Sequence, residues 1–200
     1  KAQASNYRFS TIDPNVGLVD VPDPRLNKLA ELVLPNRTVP TQIEIVDIAG
    51  LVRGASKGEG LGNKFLGNIR EVDAIIHVIR CFEDENILRD EGAINPISDK
   101  EIIDTELQLK DLESVDKKIQ RNEKLAKSDP KLKAELEVLQ LCKSHLEKGK
   151  SIRELDLSKE DRTAIADLFL LTEKPVLYVA NVDEASMHTG NKFSEALKEA

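Results

Sequence analysis

Cysteine is nearly missing: only Cys81 and Cys142 occur among 200 residues. They lie far apart and without metal-site spacing, so they read as free thiols in a reducing cytosol. There is no run of about eighteen apolar residues, which excludes a membrane-spanning helix. The opening KAQASNYRFSTID is neither a signal peptide nor an arginine-rich transit peptide. Basic excess is absent too. The 29 Lys and Arg are outnumbered by 36 Asp and Glu, and the net charge of −7 argues against a broad nucleic-acid footprint, though not against a local basic patch. His77 sits inside an apolar run and reads as a packed core residue, while His145 and His188 have no partner at metal-ligand spacing. No Cys/His or Ser/His pairing suggests nucleophilic catalysis, and there is no internal repeat or low-complexity tract. With 40% apolar and 32% charged residues, the composition suits a soluble, cytoplasmic globular protein with one sizeable domain and room for an insertion.

Glycine is scarce, and six of the ten glycines fall between Gly50 and Gly67. They follow the β-branched run Ile43-Glu-Ile-Val-Asp47, which leads into Asp47-Ile48-Ala49-Gly50. Glycine weakens ordinary helices and strands, so the cluster favours chemistry over core-building. Where glycines gather after a strand, backbone N–H groups can approach a phosphate. At a strand end, Asp47 is placed to hold Mg²⁺ through a water and the Gly50 N–H to touch a γ-phosphate; loss of that phosphate would release the loop that follows. Asp-x-x-Gly alone is common, and the preceding strand and following glycines single this one out. Phe9-Ser10-Thr11-Ile12 lies in a loop before the first strand, where the Thr11 hydroxyl can ligate the same Mg²⁺.

Asn181-Val182-Asp183-Glu184 closes an apolar strand, where a purine base would sit. GTP-binding proteins carry Asn-Lys-x-Asp in that place, and its carboxylate reads the guanine edge. Val182 and Glu184 depart from that pattern and weaken guanine selection. Leu51 stands where Ras-like enzymes carry a water-orienting glutamine; leucine cannot hydrogen-bond, so intrinsic turnover should be slow. Two look-alikes are set aside. Gly149-Lys150-Ser151 has Ser144 where the earlier P-loop glycine would fall and reads as a helix C-terminus, and Gly58-Glu59-Gly60-Leu61-Gly62 lacks the strand–helix turn of a dinucleotide fingerprint.

Along the chain, strands are expected at 16–21 and 41–47, able to pair as an antiparallel edge around a helix at 22–34. A helix at 63–71 shows Phe65, Leu66 and Ile69 on one face. Residues 74–82 and 175–181 read as strands buried on both faces. Residues 158–171 read as one helix with Ile165, Leu168 and Phe169 on one side. Between 99 and 150 the composition shifts, with twelve acidic and twelve basic residues and therefore no net charge. Leu109, Leu112, Val115, Ile119 and Ala126 recur at three- and four-residue steps, as do Leu132, Leu136, Leu139, Cys142 and Leu146. Ser128-Asp129-Pro130 separates them with a cap residue and a helix-starting proline. The pattern predicts two antiparallel helices with a narrow seam, projecting from the body as a coiled-coil hairpin.

These residues carry a family resemblance. Asp47 to Leu66 resembles the Obg-related GTPases. Phe9-Ser-Thr-Ile-Asp-Pro-Asn15, Val78-Ile-Arg-Cys-Phe82, the hairpin and Asn-x-x-Glu at 181–184 narrow it to the Obg-like ATPase (YchF) family. The resemblance implies an α/β, Ras-like P-loop nucleotide-hydrolase domain with a mostly parallel sheet and an antiparallel edge pair. Residues 1–98 and 151–200 would form the nucleotide-binding domain, interrupted by the hairpin at 99–150. It further implies ATP preferred over GTP, Mg²⁺ with K⁺ as a further candidate ion, and association with the ribosome and through it with RNA. Thr11 and Asp47 would then be metal ligands, Asp47 and Gly50 catalytic, and Asn181, Val182 and Glu184 base-site residues. The family's P-loop strand and its C-terminal TGS domain have no counterpart here, so the chain reads as an excerpt of a longer protein whose isolated segment would bind nucleotide weakly. Two other readings stay open: an Obg-type GTPase, and a non-enzymatic module whose working part is the hairpin.

Overall fold

The computed structural model describes residues 15–48, 62–84, 87, 93–125 and 130–200. Thr11, Gly50 and Leu51 lie outside them, as do Ala126 and Ser128-Asp129. The chain divides into two compact units, Lys1–Gly50 and Leu51–Ala200.

In the first unit, β1 (Asn15–Asp20) pairs antiparallel with β2 (Gln42–Asp47), in a register running from Asn15 opposite Asp47 to Asp20 opposite Gln42. One more ladder bond, Val21 N–H to the Thr41 carbonyl at 2.8 Å, carries the pairing to the outer limits expected from sequence. Helix α1 (Pro24–Val33) joins them. It starts where Asp23, in extended conformation, accepts the Arg25 N–H and Pro24 takes the first helical position. It stops where Leu34 adopts φ 48° and donates its N–H to the Ala30 carbonyl. Ile43 and Ile45 share a face of β2 as expected, and both are exposed.

The second unit holds the larger core. Strands β3 (Ile75–Arg80) and β4 (Val176–Asn181) pair in parallel, from Ile75 opposite Val176 to Arg80 opposite Asn181. They are not buried on both faces, as the apolar runs suggested: Ile76, Val78, Leu177 and Val179 are exposed. Successive side chains point to opposite faces, and helix α3 (Pro96–Leu125) covers only one. On that face the His77 and Tyr178 rings lie 5.6 Å apart, and Tyr178 donates its hydroxyl to Asp104 of α3 at 3.3 Å. Helix α2 (Gly62–Glu71) buries Phe65, Leu66 and Ile69, the face expected.

Helix α3 has 30 residues, about 45 Å at 1.5 Å per residue, and packs on α4 (Pro130–Glu147), with Pro130 at its first position. The seam differs from the expected one. Leu109 is exposed, whereas Leu107, Asp111, Val115, Lys118, Ile119 and Asn122 are buried. Half of that stripe is polar, which hid it from an apolar count. Nor do the two helices close on each other alone: Val115, Ile119, Leu139, Cys142 and Leu146 share one core with Ile152, Leu157, Ile165 and Leu170.

The helix expected at 158–171 is broken. Helix α5 spans only Lys159–Ile165, capped reciprocally by Ser158 and Asp161, and short 3₁₀ turns follow at Ala166–Leu168 and Leu171–Glu173. Phe169 takes φ 47° and is exposed, leaving Leu170 and Leu171 buried instead. Asp111 fixes the chain beyond the break. Its carboxylate accepts the Leu171 N–H at 2.8 Å, the Thr172 N–H at 2.7 Å and the Thr172 hydroxyl at 2.7 Å. Those amides are therefore unavailable to a continuing helix.

Burial under α3 pushes the His77 imidazole below its ordinary 6.5, against the opposing pull of Asp104. The folded chain thus keeps His77 neutral while the unfolded chain protonates it. Its contribution is present above 6.5 and lost as pH falls through the depressed folded value. The urea midpoint should fall between about pH 7.5 and about pH 5.5, and His77→Phe should flatten that slope. An unchanged slope in the variant would rule His77 out as its source.

Candidate functional site

Parallel β3 and β4 end level with each other, Arg80 opposite Asn181. In open α/β sheets, ligands bind beyond the carboxyl ends of the strands. Here Cys81 donates its N–H to the Asn181 carbonyl at 2.7 Å, extending the ladder by one residue and fixing the Asn181 backbone. Asn191 holds the same place from the other side: its amide donates to the Cys81 carbonyl at 2.8 Å. Its side-chain oxygen meanwhile accepts the Phe193 and Ser194 N–H groups, starting α6 (Lys192–Glu199). The sequence reading overlooked Asn191, although Asn191-Lys-Phe-Ser194 carries the spacing of a capping box.

Past Asn181 the four residues divide their tasks. Val182 is half-buried. Asp183 is extended, and its carboxylate accepts the Ser186 N–H at 2.7 Å to cap the turn Glu184–Ser186. Those bonds from Ser186 hold the Asp183 acid below the usual range. Asp183 is thus committed to its own turn, while Asn181 at the end of β4 and Glu184 just past it are both exposed. Arg80 shapes the turn after β3. Its guanidinium donates to the carbonyls of Phe82 at 3.0 Å, Asp84 at 3.1 Å and Ile87 at 3.4 Å, and lies 4.9 Å from the centre of the Phe82 ring.

In the first unit, Asp47 is the last residue of β2, opposite Asn15, and is exposed. Mg²⁺ is commonly held by one or two carboxylates together with substrate phosphates. A single exposed carboxylate at a strand end fits that mode, and among the described residues no cluster of three or more His, Cys, Asp or Glu forms a metal cage. Thr11 and Gly50, the other residues expected at the phosphate, lie outside the described residues. Cys81 and Cys142 are both buried and unpaired; burial raises both thiols, that of Cys142 to about 11, so neither is a ready nucleophile.

A sequence profile described as "50S ribosome-binding GTPase" matches residues 1–128. The chain belongs to that family. Within it, the resemblance to the YchF branch holds across nearly the whole sequence. The "Ribosome-binding ATPase YchF" of Escherichia coli O157:H7 is 52% identical over 198 residues, covering 98% of this chain and 54% of the relative. The Bacillus subtilis protein of that name is 52% identical over 201 residues, covering 99% and 55%. The solved structure of the Schizosaccharomyces pombe YchF GTPase superposes with a TM-score of 0.78 at 39% identity, covering 98% of this chain and 54% of that one. The fold is therefore the mixed α/β fold of the P-loop GTPases. The chain spans about half the length of the relatives it matches. Among the described residues no helix is long and apolar enough to cross a membrane.

Proposed function

We propose that the full-length protein is an ATP-binding and ATP-hydrolysing switch that prefers ATP to GTP and works at the ribosome in the cytoplasm. The observation that carries this reading is the edge of β3 and β4. Asn181 and Glu184 are exposed there while Asp183 is bound into its own cap, so the carboxylate free to meet a base is that of Asn-x-x-Glu. The names of the E. coli and B. subtilis relatives support the ribosome and ATP.

In this scheme Asn181 and the Val182 main chain line the base site, with Glu184 at its rim. Asp47 and Thr11 hold Mg²⁺, which neutralises charge on the phosphates when bound; K⁺ is a further candidate ion. The Gly50 N–H meets the γ-phosphate. With no general base among these residues, the rate enhancement comes from positioning and electrostatics. Residues 1–98 and 151–200 make the nucleotide domain, a mostly parallel sheet with an antiparallel edge pair. Residues 99–150 make the hairpin, which presents a surface to the partner.

A second reading, a GTPase, is favoured by the description of the family profile and by the name of the S. pombe structure. Competition between ATP and GTP for the full-length protein with Mg²⁺ separates the two. We expect at least tenfold preference for ATP, roughly 1.4 kcal/mol. Preference for GTP would establish the second reading. Binding of neither would end the enzyme reading and leave the hairpin as an interaction module.

A further inference from the structure

Helix α2 begins at Gly62, next in sequence to the Asp47–Gly50 motif and its glycine-rich continuation. Its other end is bonded to the hairpin. Arg70, in the last turn of α2, donates through Nη2 to the Ser114 hydroxyl on α3 at 2.8 Å and through Nη1 to the Leu168 carbonyl at 2.9 Å. Ser114 is held in turn, donating to the Lys110 carbonyl one turn back at 3.1 Å. Lys174 secures the same helix end from the strand side, donating to the Val72 carbonyl at 2.6 Å and the Arg70 carbonyl at 3.1 Å. The inner face of α2 is clamped as well, with Phe65, Leu66 and Ile69 buried.

On α3, Ser114 is the middle of three polar anchors, Asp111, Ser114 and Lys118, spaced to share one face of the helix. Asp111 holds the amides of Leu171 and Thr172, and Lys118 donates to the Ala164 carbonyl at 2.9 Å and pairs with Asp167 and Glu135. Asp111 and Lys118 thus bind α3 to the connector between α5 and β4, and Lys118 also to α5 and α4. Ser114 is the position where α3 takes a charged donor from α2. A planar guanidinium holding two acceptors at once resists rotation in a way that a single bond does not. From Ser114 to the far end of α3 at Leu125 is about 17 Å at 1.5 Å per residue, so a small turn of the helix at Ser114 becomes a larger displacement at the tip.

We infer that Arg70 is a positioning residue that couples helix α2 to the helical hairpin: a shift of α2 on nucleotide exchange is delivered to α3 at Ser114. The inference rests on the proposed reading of Asp47 and Gly50 as the γ-phosphate sensor, and it adds the tie by which α2 reaches the hairpin. Coupling between distant sites is demonstrated by energetic dependence and not by spatial adjacency, so the test compares nucleotide states in matched variants.

The experiment is amide hydrogen exchange of the full-length protein with Mg-ATP and with Mg-ADP. In the unsubstituted protein, peptides of α2 and of α3 around residues 108–118 should both change their exchange rate between the two nucleotides, by at least about fivefold, the lower range of allosteric coupling. Arg70→Met should keep ATP affinity and the α2 response and lose the α3 response. Ser114→Ala, a milder change that leaves the bond from Arg70 to Leu168, should lose it too, Ser114→Thr should restore it, and the double variant Arg70→Met/Ser114→Ala should lose no more than Arg70→Met alone. A merely structural brace would change exchange equally in both nucleotide states and leave the difference intact. An α3 response undiminished in Arg70→Met, or an α2 response without an α3 response in the unsubstituted protein, overturns the coupling. ATP that binds without any response in α2 overturns the phosphate-sensor reading beneath it, and absence of ATP binding overturns the enzyme reading; in both cases the coupling falls with them.

Discussion

Asp111→Ala is expected to lower the unfolding free energy by about 3 kcal/mol or more, since each buried donor left unpaired costs about 1–3 kcal/mol. Asp111 is fully buried and accepts three donors from Leu171 and Thr172, while Thr172 also accepts the Ile152 N–H at 3.2 Å. Alanine would strand two buried amides and a hydroxyl and release the turn that directs the chain into β4. In a chain of this size such a loss lowers the melting temperature by about 10 °C. Asp111→Asn retains an acceptor and should cost less, about 1–2 kcal/mol. Mild acid does not imitate either variant. Burial pushes the carboxyl above 3.8 against the bonds from Thr172 and Leu171. With the folded value raised, the group favours folding most below 3.8 and loses that advantage as pH rises through the folded value. Urea denaturation at neutral pH decides the matter; an alanine variant within about 0.5 kcal/mol of the parent would show that the 171–172 turn holds without Asp111.

Asp47→Asn should reduce ATP hydrolysis by the full-length protein at least about 100-fold, the scale of losing one preorganised electrostatic contact to a transition state. It should cost ATP affinity less than tenfold, about 1.4 kcal/mol. Stability should stay within about 0.5 kcal/mol, because Asp47 is an exposed strand-terminal residue. Glu44→Gln on the same strand, also exposed, serves as the control and should leave the rate unchanged. Single-turnover kinetics with Mg²⁺ in excess makes the comparison. A rate within about threefold of the parent, against the 100-fold loss expected, would remove Asp47 from the metal site.

The nucleotide-binding reading was legible in sequence because its signals are short-range. Asp47 to Gly50 and Asn181 to Glu184 each span four residues, and the strands before them show as β-branched runs. The hairpin was legible through the period of its leucines and the proline at 130. Periodicity could not reveal the ties that hold these pieces together. Arg70 and Ser114 lie 44 residues apart, Asp111 and Leu171 60, Asn191 and Cys81 110. A polar residue on a helix face looks solvated until its distant partner is known. For that reason the apolar period places Leu109 in the hairpin seam and passes over Asp111 and Lys118.

By itself, then, the sequence determined most element types and the antiparallel pairing of β1 with β2, since each depends on side-chain period and local turn chemistry. Only the tertiary structure decided which strand faces are covered and that Leu170 and Leu171, with Phe169 turned outward, are buried after the break in the helix. Those outcomes turn on buried polar groups, which must find a hydrogen-bond partner wherever the fold brings one; the chain specifies the groups, but only packing brings the partners together.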